Sequence, residues 1–236
     1  MSVSIIIPIY NEKKNISLLI SKIISNLKRI KYEIIIVDDK SIDGSKEVLI
    51  RLSKQYKKVK IKFRKKKIRD LSKSCRDGFE ISKFDKILVM DGDLQHNPKY
   101  IPKMLKMINR YDCDCVVGSR DLVNNRVQSL SIIRQTASYF LIKFFNLVFG
   151  KKTIDPMSGF FLFKKKIYEE NKGILFLKGF KILADLIYSN KNITVKDLLI
   201  NFDYRTKGES KLNLTILIYL IQFVGFRLFQ KFKGNL

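Results

Sequence analysis

The sequence predicts an α/β fold, a mostly parallel sheet flanked by helices, and three observations predict it. Ile- and Val-rich runs of strand length alternate, through the first half of the chain, with longer stretches whose apolar residues recur every three or four positions. Acidic and polar residues gather where the strand-like runs end. A chain of 236 residues, 46% hydrophobic and 11% aromatic, buries the core of one large domain and excludes disordered, collagen-like and disulfide-scaffold classes.

Taken in order, Ser4–Ile9, Ile34–Val37, Val59–Phe63, Ile87–Met90 and Cys115–Val117 read as strands. Helices are predicted at Asn15–Ile30, Ser45–Tyr56, Ser72–Ile81 and Tyr100–Arg110. Asn15 starts the first helix and Asp43 the second, the latter with Lys46 and Glu47 in its first turn. Such alternation implies right-handed crossovers and ligand binding at the carboxyl ends of the strands. Those ends read Pro8-Ile9-Tyr10-Asn11-Glu12, then Asp38-Asp39 followed by Lys40-Ser41-Ile42-Asp43-Gly44-Ser45, then Asp91-Gly92-Asp93-Leu94-Gln95, then Gly118-Ser119-Arg120. Polar tips on greasy strands are what a site for a polar ligand requires.

Charge and composition narrow the chemistry. Lys+Arg 47 against Asp+Glu 22 gives +25, which implies an anionic partner (nucleic acid, acidic lipid headgroups or a phosphorylated substrate) or a drift of the whole composition toward lysine. His96 is the single histidine, so triads, histidine metal cages and His-based acid–base relays are nearly excluded, and chemistry is expected to run on carboxylates, cations or a bound metal. Cys75, Cys113 and Cys115 form no C-x-x-C pair and read as free buried thiols of a reducing compartment. The start at Met1 runs straight into a strand, and no apolar run reaches about 18 residues, so neither a signal peptide nor a membrane span is expected and the chain reads as cytoplasmic.

Asp91 and Asp93 carry the sharpest signal. Residues two apart at a strand end point to the same side, and paired carboxylates repel unless a cation lies between them. Hard oxygen ligands suit Mg²⁺ or Mn²⁺, and Gln95 adds a neutral oxygen at the same spacing. The competing reading makes Asp93 the N-cap of a helix near Pro98.

Ser4–Glu12, Ile36–Asp39, Asp43–Ser45 and Met90–Pro98 together resemble family 2 glycosyltransferases of the GT-A fold. Gly118–Arg120, Arg134 with Ser138, Asp155–Phe160 and Arg205–Leu212 narrow the resemblance to the polyprenyl-phosphate branch, which includes dolichyl-phosphate mannosyltransferases and undecaprenyl-phosphate glucosyl transferases. The resemblance is collinear from Ser4 to about Leu212. It implies a nucleotide-diphospho-sugar donor of the GDP-mannose or UDP-glucose type, a dolichyl or undecaprenyl monophosphate acceptor and a Mg²⁺ or Mn²⁺ cofactor. By the same resemblance, Pro8, Tyr10 and Glu12 match the nucleotide-contacting turn, Val37 and Asp39 the base-binding strand end, and Asp91, Gly92, Asp93 and Gln95 the metal and sugar-diphosphate site. Arg120, Arg205 and Lys211 match the cations around the phosphates, with Asp91, Asp93 and Arg120 carrying catalysis. Arg134 and Ser138 match the acceptor-phosphate pocket.

The sequence also departs from the family pattern. Arg69-Asp70-Leu71-Ser72 stands where a Gly-Leu-Gly turn is frequent, and Phe161 replaces an arginine. Asp185 lies where other members of the family place a catalytic base, or is an exposed helix charge. A phosphate acceptor is already an oxyanion and needs no base, so stabilising the departing nucleoside diphosphate is the main task, and attack from the opposite face inverts the anomeric centre.

Residues 1–211 are expected to form the transferase domain and 212–236 an apolar, basic-flanked interfacial helix. Tyr139–Phe149 and Leu214–Phe229 are the segments expected to meet the prenyl chain, with Lys231 and Lys233 toward acidic headgroups; an ordinary buried helix is the alternative for each. The chain is thus expected on the cytoplasmic side, peripheral to an anionic membrane or held by an anchoring subunit. Two rival functions remain: transfer to a hydroxyl of a polysaccharide or glycolipid, which needs a base, and nucleic-acid binding through Lys57–Arg69, which otherwise reads as an edge strand with a solvated face.

Overall fold

The computed structural model describes residues 1–65, 68–120, 143, 146–179, 182–201 and 214–232. The elements are β1 (Ser2–Ile9), α1 (Ile16–Asn26), β2 (Lys31–Asp38), α2 (Ser45–Gln55), β3 (Val59–Phe63), α3 (Leu71–Glu80), β4 (Lys86–Val89), a 3₁₀ turn (Pro98–Tyr100), α4 (Ile101–Arg110) and β5 (Cys115–Arg120). They continue with β6 (Phe161–Lys164), α5 (Lys165–Asn171), α6 (Ile182–Tyr188), β7 (Val195–Ile200) and α7 (Leu214–Phe232). A seven-stranded sheet runs in the order β3-β2-β1-β4-β6-β5-β7. Every pairing is parallel except those of β6, which runs antiparallel between β4 and β5.

The sheet is greasy on both faces because helices cover both. Ile5, Ile7, Ile34 and Ile36 face the layer of α1, α2 and α4, while Ile6, Ile35 and Val37 face α3 and α6. Period-2 alternation between two apolar faces explains the unbroken Ile and Val runs. Pro8 is tolerated in this central strand for a geometric reason. Ile6 O accepts from Met90 N–H on the β4 side and Ile9 O accepts from Asp39 N–H on the β2 side, so Pro8 points toward β4 but lies beyond their last paired residues, Ile6 and Val89.

Sequence and structure part at particular places. The first helix ends at Asn26 rather than Ile30, because Ser25 Oγ and Asn26 Nδ2 both donate to Lys22 O and draw the last turn off its ladder. Asn15 occupies the N-cap position without capping; its Nδ2 donates instead to Glu12 Oε2 at 2.7 Å. Gly44, at φ 86°, is the N-cap residue of α2, and Asp43 serves that end by accepting from Ser45 N–H at 3.0 Å. The turn near Pro98 is capped by Asn97, not Asp93.

Candidate functional site

β1 lies between β2 and β4, so the chain continues from β1 to one side of the sheet while β4 lies on the other, and α/β sheets bind ligands in the crevice outside the strands' carboxyl ends at such a switch point. Three tip residues there have left-handed backbone: Asn11 (φ 58°) after β1, Lys40 (φ 63°) after β2 and Leu94 (φ 67°) after β4. Such conformations cost free energy for L-residues and cluster at ligand sites. The first two loops are laced together. Asn11 N–H donates to Ser41 Oγ at 2.8 Å, Ile42 N–H donates to Asn11 Oδ1 at 2.9 Å, and Lys13 N–H donates to Asp43 Oδ2 at 3.0 Å. Asp38 holds its own turn by accepting from the Ser41 N–H and hydroxyl, and burial pushes its carboxyl up.

The residues matched to the nucleotide turn meet at the β1–β2 seam. Pro8 and Val37 are direct sheet partners, and both are buried; Val37 packs toward Gly78 of α3. Tyr10 is half-buried, with the Arg69 guanidinium 4.1 Å from its ring centre. Asp39 is buried: Oδ1 pairs with Arg64 Nη1 at 2.6 Å and Oδ2 accepts from Asp70 N–H at 2.7 Å.

Across the crevice lies the Asp91–Gln95 loop. A side chain at Gly92 would press on Ile9 and come within 3.5 Å of Glu12 Cγ, so the loops after β1 and β4 touch here. Asp91 is partly exposed, while Asp93 is buried and accepts from Gln95 N–H at 3.1 Å. His96 lies beneath: its Nδ1 is 3.9 Å from Asp91 Oδ2, and its ring stacks on Phe160 at 5.3 Å between centroids. Burial, then the nearby Arg120, holds this imidazole neutral, pushed down to about 3.

Arg120, at the end of β5, reaches the same crevice. Asp155, fully buried, grips it from one edge, with Nε–Oδ2 at 2.7 Å and Nη2–Oδ1 at 3.3 Å. Burial opposes the charge, but Asp155 and then Asp91 outweigh it and raise the guanidinium above its ordinary value. Asp155–Phe160 folds against the β5 tip: Ser158 Oγ donates to Gly118 O at 2.7 Å, and Gly118 N–H donates to Phe160 O at 2.8 Å. Gly159 backs directly onto the Asp91 carboxylate; a Cβ there would lie 2.8 Å from its Cγ. Asp155 and Gly159 were visible in the sequence as part of a motif, without the jobs the structure assigns them.

Asp185 is neither an exposed charge nor an available base. It is buried on α6, pairs with Arg227 Nη2 of α7, and accepts from Phe176 N–H at 3.1 Å and Leu177 N–H at 2.9 Å. Burial nevertheless lifts its carboxyl above the ordinary range. Arg227 is itself fully buried, and with Phe223 and Gln230 it docks one face of α7 on the domain. Ile218, Ile221 and Phe229 are exposed. Among the described residues, no helix is long and apolar enough to cross a membrane. Arg134, Ser138, Arg205 and Lys211 lie outside the described residues, as does Tyr139–Ile142.

Among the described residues, no group of three or more His, Cys, Asp and Glu side chains is arranged to hold a metal ion. Asp91, Asp93 and Gln95 nonetheless fit a hard divalent cation as a partial set. Mg²⁺ commonly takes one or two carboxylates and completes its sphere with substrate phosphates and water. The bare Cα of Gly159 leaves the Asp91 carboxylate the space it occupies.

Comparison with known proteins agrees with this geometry. A profile described as Glycosyl transferase family 2 matches residues 4–171. A dolichol-phosphate mannosyltransferase of Pyrococcus furiosus is 37% identical over 223 residues, covering 93% of this chain and 62% of that protein. The chain thus spans 62% of that relative's length. A Saccharomyces cerevisiae protein of the same name is 32% identical over 235 residues, covering 93% of this chain and 84% of that protein. Among solved structures, glucosyl-3-phosphoglycerate synthase of Mycobacterium tuberculosis with phosphoglyceric acid superposes with TM-score 0.70 at 16% identity, covering 96% of this chain and 79% of that one. The same enzyme with Mn²⁺, UDP and glucosyl-3-phosphoglycerate gives 0.69 at 16% identity, covering 95% and 80%. At that identity the likeness establishes the fold, which is GT-A.

Proposed function

The chain belongs to glycosyl transferase family 2, and on that footing we propose that it transfers a hexose from a nucleotide-diphospho-sugar to a polyprenyl monophosphate. The names of its relatives favour mannose as the hexose and a dolichol-type phosphate as the acceptor. An acceptor phosphate oxygen forms the new bond to the anomeric carbon as the bond to the β-phosphate breaks; the nucleoside diphosphate departs and the centre inverts. No proton has to move.

The observation that carries the acceptor reading is the closure of Asp185. A hydroxyl acceptor needs a base in reach. The carboxylate at the expected position is spent on Arg227 and two backbone N–H groups. His96, buried and pushed down to about 3, is a poor base near neutrality.

Stabilising the leaving group falls to the strand tips. Asp91, Asp93 and Gln95 would hold Mg²⁺ or Mn²⁺, which supplies positive charge to the diphosphate when bound. Arg120 is kept charged and oriented by Asp155, so its outer edge faces developing negative charge at little cost in reorganisation. Arg205 and Lys211 join it, Arg134 and Ser138 receive the acceptor phosphate, and Pro8, Tyr10, Glu12, Val37 and Asp39 take the nucleoside. The exposed apolar face of α7 rests on the cytoplasmic leaflet, drawn by the +25 charge, so that residues 1–211 act as the transferase and 212–236 as the lipid-facing element.

The test is a panel of nucleotide sugars with a polyprenyl phosphate in detergent and either Mg²⁺ or Mn²⁺, scored for lipid-linked sugar. Arg134→Ala is expected to raise the polyprenyl-phosphate requirement far more than the donor requirement, because the guanidinium fork suits phosphate. Equal loss for both substrates would place Arg134 elsewhere.

A further inference from the structure

Arg64 hides in the most basic stretch of the chain, Lys57–Lys67, where sequence alone suggests a solvated face. Its side chain is 1% exposed. It follows β3 directly, and its backbone N–H donates to Asp38 O at 3.0 Å, which carries the strand pairing one residue further and turns the side chain inward. Nη1 pairs with Asp39 Oδ1 at 2.6 Å and also reaches Ser74 Oγ at 3.2 Å and Asp70 O at 3.3 Å. Nε pairs with Asp77 Oδ2 at 3.1 Å. Nη2 is buried with no hydrogen-bond partner among the described residues.

Stability alone accounts poorly for such a residue. A buried ion pair barely repays its desolvation, and a buried donor without a partner adds a further penalty. What the arrangement does secure is the geometry of Asp39 at the β2 tip. One carboxylate oxygen is tied to Arg64 and the other to the Asp70 N–H, so the group has a single orientation. Each oxygen keeps a further lone pair, and an ionised carboxylate accepts hydrogen bonds but donates none.

We propose that Arg64 is the positioning residue of nucleobase recognition: it holds Asp39 as an oriented, acceptor-only carboxylate that selects donor bases carrying a ring N–H. Guanine and uracil present such a donor. Adenine and cytosine present a ring nitrogen acceptor on the same edge, and two facing acceptors repel. Arg64 acts through Asp39 and need not touch the nucleotide. The proposal rests on the reading of Asp39 as nucleotide-facing. It gives the Lys57–Arg69 run a place in donor choice instead of in nucleic-acid binding.

The experiment is calorimetric titration of the whole chain with GDP, UDP, ADP and CDP in Mg²⁺, alongside thermal melting. The parent is expected to bind GDP or UDP at least about tenfold more tightly than ADP and CDP, since a site built around one hydrogen bond rejects bases that cannot make it. Arg64→Lys keeps a positive charge but cannot span Asp39 and Asp77 together. Its preference is expected to fall to within about threefold, a change that a purely structural role would not produce in a folded variant. If Arg64→Lys does not fold, the same ratio in Asp77→Asn decides. That substitution takes away the negative charge that anchors Nε, together with the charge of the neighbouring Arg76 pair, at a partly exposed partner, and a folded protein with reduced selectivity supports the proposal. Parental selectivity in folded Arg64→Lys, or in Asp77→Asn where the lysine variant fails, overturns the proposal and leaves nucleotide binding intact. A parent that binds all four diphosphates equally overturns it too. A parent that binds none overturns the nucleotide reading itself, and this proposal with it.

Discussion

Gly159→Ala offers a test of the site by one methyl group. The added Cβ would lie 2.8 Å from Asp91 Cγ and 3.0 Å from its Oδ1, and closer still to Oδ2. Carbon contacts are comfortable at about 3.5–4.0 Å, so something must open by roughly 1 Å. The Gly159 backbone is held on both sides, since Ser158 Oγ donates to Gly118 O and Phe160 N–H donates to Ser158 Oγ. Asp91 has a side chain 37% exposed and yields more easily. The carboxylate therefore rotates outward, leaving the fold nearly intact and the charge displaced. A 1 Å misplacement of a reacting group costs on the order of 100-fold in rate. Initial rates at saturating donor and acceptor should fall by about that factor, with the melting temperature lowered by roughly 2–10 °C, since overpacking typically costs about 1–3 kcal/mol. Gly173→Ala, where nothing lies within 4 Å of the new atom, is the control and should match the parent. A folded Gly159→Ala protein with parental turnover would refute the contact between Gly159 and a working Asp91.

Asp185→Asn strands the Arg227 charge in the interior and should destabilise the chain by about 3–5 kcal/mol, while Asp185→Leu combined with Arg227→Met recovers most of that in denaturant melts. Turnover per folded molecule should be unchanged in Asp185→Asn; a selective loss of turnover would restore the base role. Ile221→Ser with Phe229→Ser removes exposed apolar surface worth about 1.5–3 kcal/mol per side chain on burial, so sedimentation with anionic vesicles at high salt should drop at least tenfold, and unchanged sedimentation would remove α7 from the lipid contact. His96 is held neutral, pushed down to about 3, whereas the unfolded chain takes up that proton near pH 6.5, so stability should decline as pH falls below about 6.5 by up to ~1.4 kcal/mol per unit. The slope between pH 5.5 and 6.5 should flatten in His96→Gln, and an imidazole titrating near 6.5 in the folded protein by NMR would contradict this.

β1, β2, β4 and β5 were legible because burial on both faces writes unbroken apolar runs, β3 through the alternation of an edge strand, and the four helices through apolar residues at three- and four-residue spacing. β6 and β7 were not. β6 is a short apolar run that follows a polar motif without the helix-then-strand rhythm of the first half, and β7, an edge strand, places Lys196 and Asp197 side by side and leaves Leu199 exposed, so its alternation is broken. The tips were legible as a candidate site because acidic residues interrupt apolar strands. Their supports were not, since each is a long-range pairing: Arg120 with Asp155 is 35 residues apart, Arg64 with Asp39 is 25, and Asp185 with Arg227 is 42. Within a sequence rich in Lys and Arg, a buried arginine is indistinguishable from a solvated one. Only packing identifies Arg64 and Arg227, and only packing takes Asp185 out of contention as a base.

The central claim, transfer to a phosphate without a general base, is tested most directly by one comparison of acceptors. Polyprenyl phosphate and the matching polyprenol, identical in chain length, are offered with the preferred nucleotide sugar, and lipid-linked product is quantified. The account predicts product from the phosphate at rates at least about 100-fold above the alcohol, whose proton Asp185, closed off by Arg227 and two backbone N–H groups, cannot take. Comparable rates with the two acceptors, or product from the alcohol alone, would contradict it.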